Sequence, residues 1–320
     1  MKLVILESYV MHPGDLDWSG LRALVDDTDE YVRTAYEEIA PRIGDAQLAV
    51  VNKCRIDEGV LARCPGLQWV GIIATGTDNL DLEACRRHGV KVANVPAYST
   101  YSVAQMAFSL LLAVCQCPER QDRAVRDGYW QLQVPPGYGI LPQVELYGKT
   151  FGVVGYGNIG RQAARIARAM GMKVLACTRT RRPADAADGV EFVELPDLLA
   201  ASDVVSLHCP ATPATRGMMD AAALARMKPG AILLNTARGA LVDEAAVAAA
   251  LTSGQLGWYA ADAFAVEPLP MDSPLRTAPH TLFTPHVAWA TGGALQRLME
   301  ITAQNLATFL QGHGQNIVNP

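Results

Sequence analysis

The sequence predicts an α/β protein made of two doubly wound parallel-sheet domains in one chain, and three observations carry that expectation. Short apolar runs alternate with helical segments from the first residues to the last, the pattern of parallel strands with helices on both faces. A glycine-rich turn, Gly155-Tyr156-Gly157-Asn158-Ile159-Gly160, joins a strand to a helix, but only after some 150 residues of chain have gone by. With 320 residues, the chain is long for one core and comfortable for two.

Four strands are expected before the glycine turn, at 3–6, 48–51, 69–73 and 90–94, the third ending in Ala74-Thr75-Gly76-Thr77. Helices lie between them, as at 80–88. From 100 to 117 the chain reads as a helix with little polar relief (Val103, Met106, Leu110, Leu111, Val114), and so as one buried on more than one side. Residues 131–147, with Pro135-Pro136-Gly137, read as a long loop of the functional or interfacial kind. A second βαβ series then begins with the strand 150–154 and the helix 161–172. Its further strands are expected at 173–177, 204–208, 231–235, 258–263 and 281–283. The helix 294–310 follows the last of these and returns to the first domain. That makes the first domain discontinuous, 1–98 with 290–320, around an inserted nucleotide-binding domain at 99–289.

Composition narrows the function classes. Half of the residues are hydrophobic, 18% are charged and the net charge is −5 with both signs mixed, which excludes a disordered chain and argues against a nucleic-acid or acidic-membrane surface. The seven cysteines are scattered without a C-x-x-C pair, as expected of buried thiols in a reducing compartment rather than of disulfides or metal ligands. The apolar start is interrupted by Glu7, too early for a signal peptide, and no run reaches the length of a membrane span. The expectation is a soluble cytoplasmic protein with no metal.

A strand, a glycine-rich turn and a helix in that order bring backbone N–H groups and a helix N-terminus up to a pyrophosphate, so Gly155, Gly157, Asn158, Ile159 and Gly160 are expected to bind a dinucleotide in a Rossmann domain. Three further residues follow the carboxyl ends of expected parallel strands, where ligands bind in open α/β sheets: Arg238, Glu267 and His286. Singly, each is unremarkable. Together, on successive strand ends beside an expected dinucleotide site, they are an unlikely coincidence and are the candidate catalytic group.

On these residues the chain resembles the D-isomer-specific 2-hydroxyacid dehydrogenase family over nearly its whole length. The resemblance runs from Ala74-Thr75-Gly76-Thr77-Asp78-Asn79-Leu80-Asp81 through the glycine turn, His208-Cys209-Pro210, Met227-Lys228-Pro229-Gly230, Asn235-Thr236-Ala237-Arg238-Gly239 and Ala261-Asp262-Ala263-Phe264 to His286. Ser102-Val103-Ala104-Gln105 and Thr284-Pro285-His286-Val287-Ala288-Trp289-Ala290 are most similar to its glycerate dehydrogenase and hydroxypyruvate reductase branch. Gln105 departs from the Glu of many members and touches no catalytic role. The resemblance implies a Rossmann domain inserted in a flavodoxin-like substrate domain. It also implies a homodimer, with the apolar 100–117 helix and the 131–147 loop as the places of contact.

The resemblance assigns the roles. His286 would give the carbonyl oxygen its proton as hydride arrives, and Glu267 would hold the other ring nitrogen and favour the imidazolium. Arg238 would grip the substrate carboxylate and polarise the carbonyl, while backbone N–H groups around Thr75 and Gly76 hold the other carboxylate oxygen. Asp262 would orient the nicotinamide carboxamide, with His208, Cys209, Pro210, Thr215, Thr236 and Ala237 lining the rest of the cofactor site. Where NAD sites carry an acid at the end of the second strand, this chain has Thr178, followed by Arg179-Thr180-Arg181-Arg182. Cations stand where a 2′-phosphate would lie, so NADP(H) is favoured over NAD(H).

Asn52 and Lys53, at the end of a strand, are expected to face the substrate tail and to suit a hydroxymethyl group, with Trp289 narrowing the same site. The branch implies hydroxypyruvate and glyoxylate as substrates. Reduction of other keto acids, 2-ketogluconate or pyruvate homologues, is the enzymatic alternative, and a nucleotide-sensing corepressor is the alternative of a different class.

Overall fold

The computed structural model describes residues 1–12, 14–132, 143–182, 185 and 189–320, so most of the expected 131–147 loop lies outside the described residues. The chain divides into two units, Met1–Ser99 with Trp289–Pro320, and Thr100–Ala288.

In the first unit five strands form a wholly parallel sheet: β1 (Lys2–Ile5), β2 (Asp27–Glu30), β3 (Leu48–Val51), β4 (Trp69–Ile72) and β5 (Lys91–Ala93). Their order, β2-β1-β3-β4-β5, is that of flavodoxin-like sheets. Period-two alternation divides the core in two. Leu3, Ile5, Leu48, Val50 and Trp69 pack on one face with Trp18, Leu21 and the helix Gly292–Leu310, through Leu295, Leu298 and Met299. Val4, Leu6, Ala49, Val51, Val70 and Ile72 pack on the other with Ile39, Ile43, Val60, Leu61 and Cys85. A sheet covered on both faces needs apolar residues at every position, which is why these strands read as continuous runs. The chain end is stitched to this unit by Asn319, whose side chain accepts from Val92 N–H and donates to the Val90 carbonyl, 2.7 and 2.8 Å.

The second unit holds a seven-stranded parallel sheet: β6 (Thr150–Val154), β7 (Lys173–Cys177), β8 (Glu191–Phe192), β9 (Val204–Leu207), β10 (Ala231–Asn235), β11 (Leu256–Ala261) and β12 (Thr281–Phe283). Its order is β12-β11-β10-β9-β6-β7-β8. The strand order reverses between β6 and β9, which places the glycine turn after β6 at the topological switch point. The apolar helix Thr100–Gln116 covers this sheet, with Phe108 stacked on Phe151 at 5.4 Å between ring centroids.

Several element boundaries differ from expectation. β2, Asp-Thr-Asp-Glu, was invisible in the sequence because an edge strand pairs on one side only and carries no apolar alternation. β8 is likewise a two-residue edge. β11 begins at Leu256 and stops at Ala261, two residues short of the expected end, so that Asp262 and Ala263 belong to the loop beyond it. The helix after the glycine turn spans Asn158–Ala169 rather than 161–172, and the one expected at 80–88 spans Leu82–Arg87 with the Asp81 carboxylate capping it. No single helix among the described residues is long and apolar enough to cross a membrane.

Candidate active site

The three glycines of the turn do three different things. Gly155 has φ +98°, and a Cβ there would stand 2.5 Å from the Cys209 nitrogen. A Cβ at Gly160 would stand 2.1 Å from the Gly155 carbonyl oxygen. Gly157 is the opposite case, with nothing within 4 Å of where its Cβ would be. Turn conformation, helix packing and an open face are the three demands of a dinucleotide turn, and the residues present fit one. The helix Asn158–Ala169 has no side-chain cap and no acid in its first turn, so its N-terminal N–H groups and dipole face outward for an anion. Beyond β9 and β10, His208 Nδ1 and Thr236 Oγ1 are buried without a hydrogen-bond partner among the described residues, which is unusual for polar atoms in a finished interior. Cys209 is half-buried with its thiol 3.8 Å from the Met218 sulfur, Pro210 is exposed, and Thr215 Oγ1 donates to the Pro210 carbonyl at 2.7 Å. Ala237 N–H donates to Asn235 Oδ1 at 3.1 Å, fixing the start of the loop after β10.

After β7, Thr178 is half-buried and Arg179 and Thr180 are exposed. Arg181 lies over the Phe192 ring, 5.0 Å from its centroid. An acid missed in the sequence sits beneath this arm. Asp185 is buried, pairs with Arg161 and accepts from the Arg182 N–H at 2.7 Å. Burial opposes its charge, but the Arg182 N–H and the Arg161 guanidinium still hold its carboxyl below the usual range. Its carboxylate is thus claimed within the chain, and Arg161 in turn lies over the Tyr156 ring at 4.9 Å. Eight residues past the strand end in an alanine-rich stretch, Asp185 gave no signal that a sequence pattern would pick out.

The three expected catalytic residues all belong to the second unit, on loops after β10, β11 and β12. His286 Nδ1 lies 2.7 Å from Glu267 Oε2, and since a carboxylate only accepts, Nδ1 carries the hydrogen. The other carboxylate oxygen, Oε1, accepts from Phe264 N–H at 3.0 Å. Phe264 in turn lies against Gly239, where a Cβ would fall 1.8 Å from the Phe264 carbonyl carbon, so the backbone next to Arg238 packs directly on the loop that holds Glu267. Arg238 is half-buried, its carbonyl accepting from Asn235 Nδ2 at 3.0 Å and its own Nη1 donating to the Ala237 carbonyl at 2.9 Å.

His286 has φ +55°, a conformation that costs a non-glycine residue about 1–3 kcal/mol unless its surroundings impose it. Asp262 imposes it. Only 1% exposed, its carboxylate accepts from Thr284 Oγ1 at 2.5 Å, Val287 N–H at 2.9 Å and Ala288 N–H at 2.8 Å, on both sides of the histidine. Expected as a cofactor contact, Asp262 thus also clamps the histidine loop, a connection that sequence separation hides.

The expected substrate residues Asn52, Lys53, Thr75, Gly76 and Trp289 belong to the first unit. Asn52 is half-buried and Lys53 exposed at the end of β3. Thr75 is exposed and donates its hydroxyl to the Val95 carbonyl at 2.8 Å, while the N–H groups of Thr75 and Gly76 have no partner among the described residues, as an oxyanion would require. Trp289 packs in part on the core of this unit. No group of three or more His, Cys, Asp or Glu suited to a metal occurs among the described residues.

Comparison with known proteins identifies the family. Residues 108–288 match the profile of the D-isomer specific 2-hydroxyacid dehydrogenase NAD binding domain. A hydroxypyruvate reductase from Blautia hydrogenotrophica is 40% identical over 321 residues, covering 100% of both chains. Among solved structures, D-lactate dehydrogenase from Aquifex aeolicus, in complex with NAD and lactic acid, superposes with a TM-score of 0.84 at 28% identity over 100% of this chain and 99% of that one. An acyclic imino acid reductase in complex with NADPH and D-Arg does so with a TM-score of 0.88 at 26% identity, over 99% of this chain and 100% of that one. The chain therefore belongs to the D-isomer specific 2-hydroxyacid dehydrogenase family.

Proposed function

We propose that this protein reduces small 2-keto acids, hydroxypyruvate and glyoxylate foremost, to D-2-hydroxy acids with NADP(H) as the preferred cofactor. The observation that carries the reading is the Phe264–Glu267–His286 chain of hydrogen bonds, a histidine held by one ring nitrogen at a strand end of the same sheet that carries the dinucleotide turn. The bound nicotinamide supplies the hydride. With Nδ1 committed to Glu267, Nε2 is the nitrogen that exchanges a proton with the substrate oxygen, giving it up on reduction and taking it on oxidation. Arg238 binds the carboxylate beside the reacting carbon and draws charge onto the carbonyl oxygen. The N–H groups of Thr75 and Gly76 hold the second carboxylate oxygen. The unit 100–288 is the nucleotide-binding domain and the unit 1–99 with 289–320 is the substrate domain, and the working enzyme is a homodimer.

The NADP(H) preference rests on Thr178 and the exposed Arg179 after β7, and on Asp185 being neutralised by Arg161 rather than offered to a ribose. One charge-assisted arginine–phosphate contact corresponds to a roughly ten- to hundredfold preference. The Blautia relative supports hydroxypyruvate as substrate. The test is a panel of hydroxypyruvate, glyoxylate, pyruvate and 2-ketogluconate run with NADPH and with NADH, following consumption of the reduced cofactor. The expected result is the highest kcat/KM for hydroxypyruvate with NADPH. No turnover of any keto acid overturns the assignment, and a clear advantage for NADH overturns its cofactor half.

A further inference from the structure

Glu7 stands just past the end of β1, and the parallel register of β1 with β3 (Leu3 opposite Leu48, Ile5 opposite Val50) brings it beside Asn52. A single oxygen, Oε2, accepts from three successive backbone N–H groups: Asn52 at 2.8 Å, Lys53 at 2.7 Å and Cys54 at 2.9 Å. Successive N–H groups that converge in this way form an anion-binding nest, and here the chain fills its own nest with a carboxylate. The same segment is gripped from its carbonyl side. Asn79 Nδ2 donates to the Asn52 carbonyl at 3.2 Å and to the Cys54 carbonyl at 2.6 Å. Three N–H groups and two carbonyls of a three-residue turn are thus fixed by two side chains from other elements. What this holds in place is the backbone that carries half-buried Asn52 and exposed Lys53.

We propose that Glu7 is a positioning residue for substrate selection: through the 52–54 turn it fixes where Asn52 and Lys53 stand toward the tail of the keto acid. This rests on the proposed reduction of small keto acids. A loop with free N–H groups would let the two side chains sample many placements, and contact with a hydroxymethyl tail would weaken. A substrate without a tail would not notice. Glu7 therefore acts on discrimination between tails rather than on hydride or proton transfer.

The test compares kcat and KM of wild type, Glu7→Ala and Glu7→Gln for hydroxypyruvate, pyruvate and glyoxylate at saturating cofactor. Hydroxypyruvate carries a hydroxymethyl tail, pyruvate a methyl and glyoxylate none. In Glu7→Ala, the kcat/KM ratio of hydroxypyruvate to glyoxylate falls about tenfold, as expected for one lost polar contact, through KM and with kcat for glyoxylate kept. Glu7→Gln, which retains one acceptor oxygen, falls between the two. Asn79→Ala loosens the same turn from its carbonyl side and shows the same selective loss, which keeps the proposal testable should Glu7→Ala not fold. Equal losses on all three acids, or an unchanged ratio, overturn it. Wild type inactive on all three acids would instead overturn the proposed function.

Discussion

At the carboxyl edge of the seven-stranded sheet a side chain is held by its neighbours, whereas at the same edge of the five-stranded sheet side chains hold the backbone. Glu267 orients His286, the Phe264 N–H orients Glu267, and Asp262 clamps the turn on either side of the histidine. On the other sheet Glu7 collects three backbone N–H groups, Asn79 two carbonyls, and the Thr75 hydroxyl goes to the Val95 carbonyl. The difference follows from the tasks proposed for each edge. Moving a proton needs one titratable atom aimed in one direction, so its support is spent on a single ring. Recognising a small acid needs several groups set at fixed places, which a turn supplies once its backbone is held.

The largest effect should come from His286→Ala. Loss of a general acid–base lowers kcat about 10²- to 10⁴-fold, while NADPH affinity, read by quenching of protein fluorescence, stays near that of the wild type. A variant with wild-type kcat would break the comparison at its first term, because the seven-stranded edge would then hold no proton donor at this position.

Asp262→Asn sharpens the same contrast. The variant keeps one acceptor oxygen but turns an NH2 toward N–H or O–H donors that the carboxylate had satisfied, at a cost of about 1–3 kcal/mol. If Asp262 works through the histidine loop, kcat drops about 10- to 100-fold and NADPH affinity shifts less than about threefold. If it works at the nicotinamide, affinity falls and kcat is kept. Titration of cofactor binding beside steady-state rates tells the two apart.

What the sequence made legible divides along the same line. The residues proposed to meet cofactor and substrate, Gly155, Gly157, Arg238 and His286, stand at strand ends and are legible from motif and position, as is Glu267, which holds the histidine. Asp185 and Glu7 were missed as ligands of their neighbours. Each acts through a contact between residues far apart in the chain or hidden in a bland stretch: Glu7 is 45 positions from Asn52, and Asp185 lies in a run of alanines. The fold class followed from strand–helix alternation, since the buried parallel strands are apolar runs. β2 and β8 escaped because an exposed edge imposes no such pattern.

The smallest effect concerns the second histidine of the seven-stranded edge. His208 is treated in the opposite way to His286. Its Nε2 meets Ser206 Oγ at 2.9 Å, but Nδ1 is shut off from solvent with no partner among the described residues, although the residue as a whole is only half-buried. Burial disfavours the charged ring and pushes its pKa from 6.5 down to about 4. Between those values the unfolded chain binds the extra proton and the folded chain does not. The stability that neutral His208 provides is therefore complete above pH 6.5 and is lost as pH falls toward 4. His208→Gln keeps a partner for Ser206 and removes the titration. Thermal melts of the apoprotein across that window should show wild type losing about 2–4 °C more than the variant. Parallel melting curves for the two proteins would show that the ring is charged in the fold, and that both histidines at this edge have a partner for the proton.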